Sequence, residues 1–107
     1  MQVHTSFTMV AGAPVIAVDG VVDLAAVGQL HGDLARAVRR HPGVTLVVDL
    51  DGVEVLDDAG LGVLLGAAAA ARSSGGDLEV VATHPTMRDR LAVTRFDRAV
   101  VVRDTIA

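Results

Sequence analysis

The chain has no cysteine, lysine, tyrosine or tryptophan, and only two phenylalanines. Without cysteine there can be no disulfide, no thiolate zinc site and no thiol catalysis. Without lysine, all nine basic residues are arginine, and none of them forms a basic tract. With a net charge of −4, this composition argues against nucleic acid as a partner. With so few aromatics, Val, Leu and Ala must fill the core. The opening residues MQVHTSF lack the basic and apolar regions of a signal peptide. The longest mainly apolar stretch, residues 61–71, is too short to cross a bilayer, so no membrane insertion and a cytoplasmic setting are expected. What is present, 51% hydrophobic and 21% charged residues in 107, reads as one folded domain over residues 1–107.

FTMV and PVIAV flank a short AGA turn signal, which predicts a hairpin of residues 7–10 and 14–18. Asp23 is placed to cap the helical segment after it. From Val27, the apolar positions Leu30, Leu34, Ala37 and Val38 recur at helical spacing. Arg36, Arg39 and Arg40 suit the end of that helix, and HPG at 41–43 stops it. Gly28 and Gly32 weaken the helix and would let it sit close to a sheet. VTLVVDL at 44–50 is a continuous apolar run, which predicts a central strand covered on both faces. A helix over 59–73 ends in glycines, and its small residues at 66–71 suit close contact with the sheet. Next come a strand at 77–82, a short helix HPTMRDRLAV with Pro85 in its first turn, and a strand at 98–102. The order β-β-α-β-α-β-α-β predicts an α/β fold, a mixed sheet of four to five strands with helices packed on it.

Chemistry has few footholds in this pattern. His4, His31, His41 and His84 lack metal-binding spacing, which leaves them surface or helix-end roles. No Gly-x-Ser-x-Gly surrounds Ser6, Ser73 or Ser74, and no phosphate-binding glycine loop is present. Neither metal nor cofactor is expected. Asp49 and Asp51, in the segment DLDGV, look like the nucleophile motif of haloacid dehalogenase-type phosphatases. That chemistry requires Mg²⁺ and a fixed cation to offset phosphate charge. The family supplies the cation as lysine, which is absent here, so the two aspartates are read as polar caps at a strand's end.

VEVLDDAGLGVLLGAA, residues 53–68, resembles the central motif of STAS domains, the fold of bacterial anti-sigma factor antagonists. Upstream, VIAVDGVVDLAAVGQL is similar to the family's strand, Gly-x-x-Asp turn and first helix. Downstream, GGDLEVVATHPTMRDRLAVTRFDRAVVV is similar to its strand, short helix and last strand, while the terminal helix is cut short after Arg103. The resemblance implies a non-enzymatic regulator that docks on a kinase-type anti-sigma factor and releases a sigma factor. It also admits an accessory subunit of a transporter complex. The residue before Gly-Leu-Gly is often a phosphorylated serine in the family; here it is Ala59, so no phosphorylation is expected at that position. The implied partner surface is Asp57, Asp58, Ala59, Gly60, Leu61 and Gly62, with Asp23 alongside. Asp58 has two readings from its position: an N-cap worth about 1 kcal/mol, or a fixed mimic of phosphoserine. Gly60 and Gly62 would let a partner's backbone approach closely. The aliphatic sheet edge permits a homodimer.

Overall fold

The computed structural model describes residues 2–106. Its elements are β1 (His4–Val10), β2 (Ala13–Val22), α1 (Val27–Arg40), β3 (Thr45–Leu56), α2 (Asp58–Ser73), β4 (Asp77–Val81), α3 (Pro85–Val93) and β5 (Val101–Arg103). Single 3-10 turns at Leu24–Ala26 and Phe96–Arg98 lead into α1 and β5. The sheet order is β1-β2-β3-β4-β5, antiparallel between β1 and β2 and parallel elsewhere. This is the expected mixed α/β fold, with five strands.

Ala11 and Gly12 join β1 to β2 with φ of 51° and 82°, the two positive values that a tight hairpin loop requires. In α1, Leu30, Leu34, Ala37 and Val38 form the buried stripe, and His41 closes the helix with its amide on the Ala37 carbonyl. Gly28 and Gly32 do not serve close packing, because a Cβ on either would meet nothing within 4 Å. In α2, Leu61, Leu64, Ala68 and Ala71 face the core. That helix ends at Ser74, and Gly75 turns the chain away with φ of 86°.

All three helices bury their apolar residues in one cluster with Ile16, Val18, Leu46, Val48, Leu50, Leu78 and Val80. Successive parallel crossovers of one hand, running in one direction, put every helix on the same face of the sheet. Leu64 is fully buried there, and a leucine so placed contributes about 1.5–3 kcal/mol. The expectation that β3 is covered on both faces therefore needs correction. On the opposite face Val47 is buried beside Val15 and Val81, shielded by Val10 and Ile106 rather than by a helix.

The expected strand 44–50 is also too short, because β3 continues to Leu56. Its pairing with β2 slips twice: Ala17 faces Asp49 but Asp19 faces Gly52, and Gly20 faces Val53 but Val21 faces Val55. Each slip inserts one extra residue in β3 and re-phases its apolar side. Leu46, Val48 and Leu50 alternate with a period of two, and the slips bring Val53 and Leu56 to the same buried side although they break it.

Candidate functional site

The chain leaves β2 at Asp23, β3 at Asp57 and β4 near His84, so these three residues gather at the carboxyl ends of the parallel strands. Open α/β sheets present their ligand surfaces at that end. Three short interactions build the corner. The Asp57 amide donates to the Val22 carbonyl at 3.0 Å, which locks the end of β3 to the end of β2. The Asp57 carboxylate accepts the Gly60 amide at 3.1 Å and caps α2. Asp23 accepts the Ala26 amide at 3.2 Å and caps the 3-10 turn before α1.

Asp57, rather than Asp58, is thus the N-cap of α2. Asp58 is the first helical residue and its side chain is 94% exposed. Its carboxylate accepts a hydrogen bond from Arg90 Nη2 on α3 at 3.1 Å, an ion pair across the mouth of the site. Both acidic groups stand at the positive end of the helix, where negative charge is favoured. Arg90 Nε is buried and has no partner among the described residues.

The remaining residues divide between surface and core. Ala59 is half-buried and lines a groove of about 350 Å³ between α1 and α2, with His31, Ala35, Gly62, Val63 and Gly66. Gly66, Ala67 and Ala70 line that groove, with open space beside Gly66, while Ala68 and Ala71 are buried in the core cluster. Gly62 is exposed, with open space where a Cβ would stand, so a partner can come close there. Gly60 does something else. It is buried, and a Cβ there would lie 2.6 Å from both Leu56 Cδ1 and Val22 Cγ1. Leu61 is buried in the core as well. Gly60 and Leu61 position the surface without belonging to it.

A second groove, about 460 Å³, runs between the end of β3 and α3 and is lined by Val53, Val55, Asp57, Thr86, Met87 and Arg90. It exists because β4 pairs with β3 only as far as Asp49, so the outer half of β3 has β2 alone beside it. Asp49 and Asp51 manage that departure. Asp49 Oδ1 accepts the Asp51 amide at 2.9 Å across the first slip, and Asp51 Oδ1 accepts the Thr83 amide at 2.7 Å as β4 leaves the sheet. They sit within a strand, not at its end, and their oxygens hold backbone amides. Among the described residues no group of three or more His, Cys, Asp or Glu is arranged to hold a metal ion. His4, His31 and His84 are exposed, and His41 ends α1. No described helix is long and apolar enough to cross a membrane.

Arg90 and the α3 groove are the features of this corner that the sequence did not disclose. The Asp58–Arg90 pair spans 32 positions, and no local pattern reports such a contact.

Residues 5–103 match a family model described as "Mlab, STAS domain". The chain belongs to the STAS domain family. No curated protein sequence matches it. Among solved structures, the STAS domain is similar to an anti-sigma factor antagonist from Mycobacterium paratuberculosis, at 27% identity and a TM-score of 0.87 over 98% of this chain and 88% of that one. It is also similar in fold to the phosphorylated form of the Bacillus cell fate determinant SpoIIAA, at 21% identity and a TM-score of 0.67 over 92% and 90% of the two chains. A sulfate transporter family protein from Wolinella succinogenes shares the fold at 20% identity and a TM-score of 0.74, over 92% of this chain and 82% of that one.

Proposed function

We propose that this STAS domain, taken as one unit over residues 1–107, is a non-enzymatic docking protein of the anti-sigma factor antagonist type. It binds a kinase-type anti-sigma factor and so frees a sigma factor. The observation that carries this reading is Asp58, an outward-facing carboxylate held by Arg90 at the start of α2, immediately before Ala59. Asp23, Asp57 and Asp58 give the surface negative character, Ala59 and Gly62 leave it close to the backbone, and the groove between α1 and α2 and that between β3 and α3 offer apolar contact. A hydroxyl is missing at Ala59, so no phosphate ester forms there and binding is set by concentration. The Asp58 carboxylate contributes about one negative charge, against roughly −1.5 to −2 for a phosphoserine. Because Asp58 does not cap the helix, a partner can reach its exposed carboxylate beside the Arg90 guanidinium that holds Oδ1.

The test uses the chain with a kinase-type anti-sigma factor in isothermal titration calorimetry. Asp58→Asn should weaken binding about tenfold, equivalent to roughly 1.4 kcal/mol, while the chain stays folded with only a small drop in melting temperature from the lost exposed ion pair. Equal affinity for both proteins would remove Asp58 from the interface. Incubation with the kinase and ATP should leave the mass of the chain unchanged, and a phosphate within residues 57–62 would overturn constitutive binding. The same surface serves an accessory subunit of a transporter complex, and binding to a transporter ATPase but not to the kinase would replace the first reading.

A further inference from the structure

The two edges of the sheet are treated very differently. β5 has three residues, and its Arg103 is held by Glu79 and by the Ile106 carbonyl. β1 has seven, HTSFTMV, with no Asp, Glu, Lys, Arg or Pro among them. Its register against β2 runs from His4–Asp19 to Val10–Ala13 without a slip, so no bulge twists the edge away. His4, Ser6, Phe7, Thr8 and Met9 are exposed. Apart from the ladder with β2, no described hydrogen bond engages a backbone group of residues 4–10. Folded proteins ordinarily blunt such an edge with charge, proline or a bulge, because a bare one is a template for another strand.

We propose that β1 is a self-pairing edge, along which two copies of the chain join antiparallel about a two-fold axis at Phe7 to make one continuous sheet. The strand is self-complementary in that arrangement. Phe7 meets Phe7 of the second copy, Thr5 meets Met9, Ser6 meets Thr8, and His4 meets Val10. No like charges oppose each other. Phe7 lies in register with the core residue Ile16, so Phe7 and Met9 project on the helix side, where they are 51% and 49% exposed. The charges flanking the strand match the same symmetry. Thr5 donates to Asp33 at 2.8 Å, whereas Phe7 stacks on His41 with ring centroids 5.2 Å apart. Arg36 pairs with Asp33 at 3.2 Å, and Arg40 lines the same groove, of about 240 Å³. A two-fold axis reverses the second copy, so the Asp33 end of one groove lies toward the Arg40–His41 end of the other. None of Asp23 and Asp57–Gly62 is on β1, so this pairing and the docking surface stand or fall separately.

Size-exclusion chromatography with light scattering tests the pairing on the intact chain. The monomer mass is 11.0 kDa, and the expected result is twice that at high concentration, falling toward the monomer on dilution. Ser6→Lys combined with Thr8→Lys places lysine against lysine in both pairs that flank Phe7 and should raise the dimer dissociation constant at least tenfold. Ser6→Glu combined with Thr8→Lys places glutamate against lysine in the same two pairs and should keep the dimer. Both positions are exposed, so circular dichroism melts should stay near that of the parent. If either variant fails to fold, Ser6→Glu with Thr8→Glu repeats the like-charge arm with the opposite sign. A monomer at every concentration, a dimer indifferent to like charges, or equal loss in the like-charge and opposite-charge variants would each overturn the proposal.

Discussion

Gly60 and Gly62 are two residues apart on one helix, and substitution by alanine should move stability in opposite directions. Alanine within a helix is favoured over glycine by about 1 kcal/mol. At Gly62 nothing lies within 4 Å of the new Cβ, so the full gain is expected. At Gly60 the same atom would come 2.6 Å from Leu56 Cδ1 and from Val22 Cγ1. The leucine methyl is at the end of a rotatable chain and can move. The valine methyl sits on a β-branched side chain in a paired strand, with few rotamers to adopt. Overpacking of this kind costs about 1–3 kcal/mol, which exceeds the propensity gain over most of that range. We expect Gly62→Ala to be more stable than the parent by about 1 kcal/mol and Gly60→Ala less stable by about 1 kcal/mol. Urea unfolding at constant m gives both numbers, and thermal melts should differ between the variants by about 8 °C. If Gly60→Ala matches or exceeds Gly62→Ala, the close packing of α2 on Val22 and Leu56 is not what requires glycine there.

Ala11 holds φ of 51° in the β1–β2 turn, so Ala11→Gly or Ala11→Asn should stabilise by about 1 kcal/mol in urea unfolding, and a loss would contradict the turn geometry. Asp57→Ala removes the α2 cap and should cost about 1 kcal/mol, whereas Asp58→Ala, which loses only an exposed ion pair and a helix-end charge, should cost less, about 0.5 kcal/mol. The reverse order would restore Asp58 as the cap. The Leu78 amide, together with the Arg72 guanidinium, holds the Asp77 carboxyl below its ordinary value of 3.8, against an opposing effect of burial. A depressed folded-state pKa stabilises above the unfolded value, and that contribution fades as pH falls below it. The stability of the parent relative to Asp77→Asn should therefore shrink as pH drops from 3.8 downward, and a gap that widens there would refute the assignment.

The order of elements is legible in the sequence because α1 carries its apolar stripe at 3- and 4-residue spacing and glycine or proline punctuates the segments. Leu30, Leu34 and Val38 are read correctly for that reason. β3 is harder. Asp51 and Gly52 have the chemistry of a turn, and the apolar residues beyond them do not alternate. Only the pairing with β2 shows that two inserted residues keep the chain extended while its buried side is re-phased. The cap of α2 is ambiguous for a related reason, since Asp57 and Asp58 are equally suited by residue type. The Val22 carbonyl decides between them: by receiving the Asp57 amide it fixes where β3 ends and α2 begins. Arg90 carries no local signal, because its partner is brought to it only by the crossover through β4.

The unequal flanking of β3 has a kinetic consequence. Residues 47–49 have a strand on each side, while residues 52–56 are held on one side only. Local opening draws on the least supported backbone, so amide hydrogens near Val53 and Val55 should exchange with solvent well ahead of those near Val47 and Val48. The acidic corner at Asp57 is attached to the faster half. Excursions of a few residues there should be expected to release the Asp57–Val22 contact first, while the protected half of the same strand keeps the core closed.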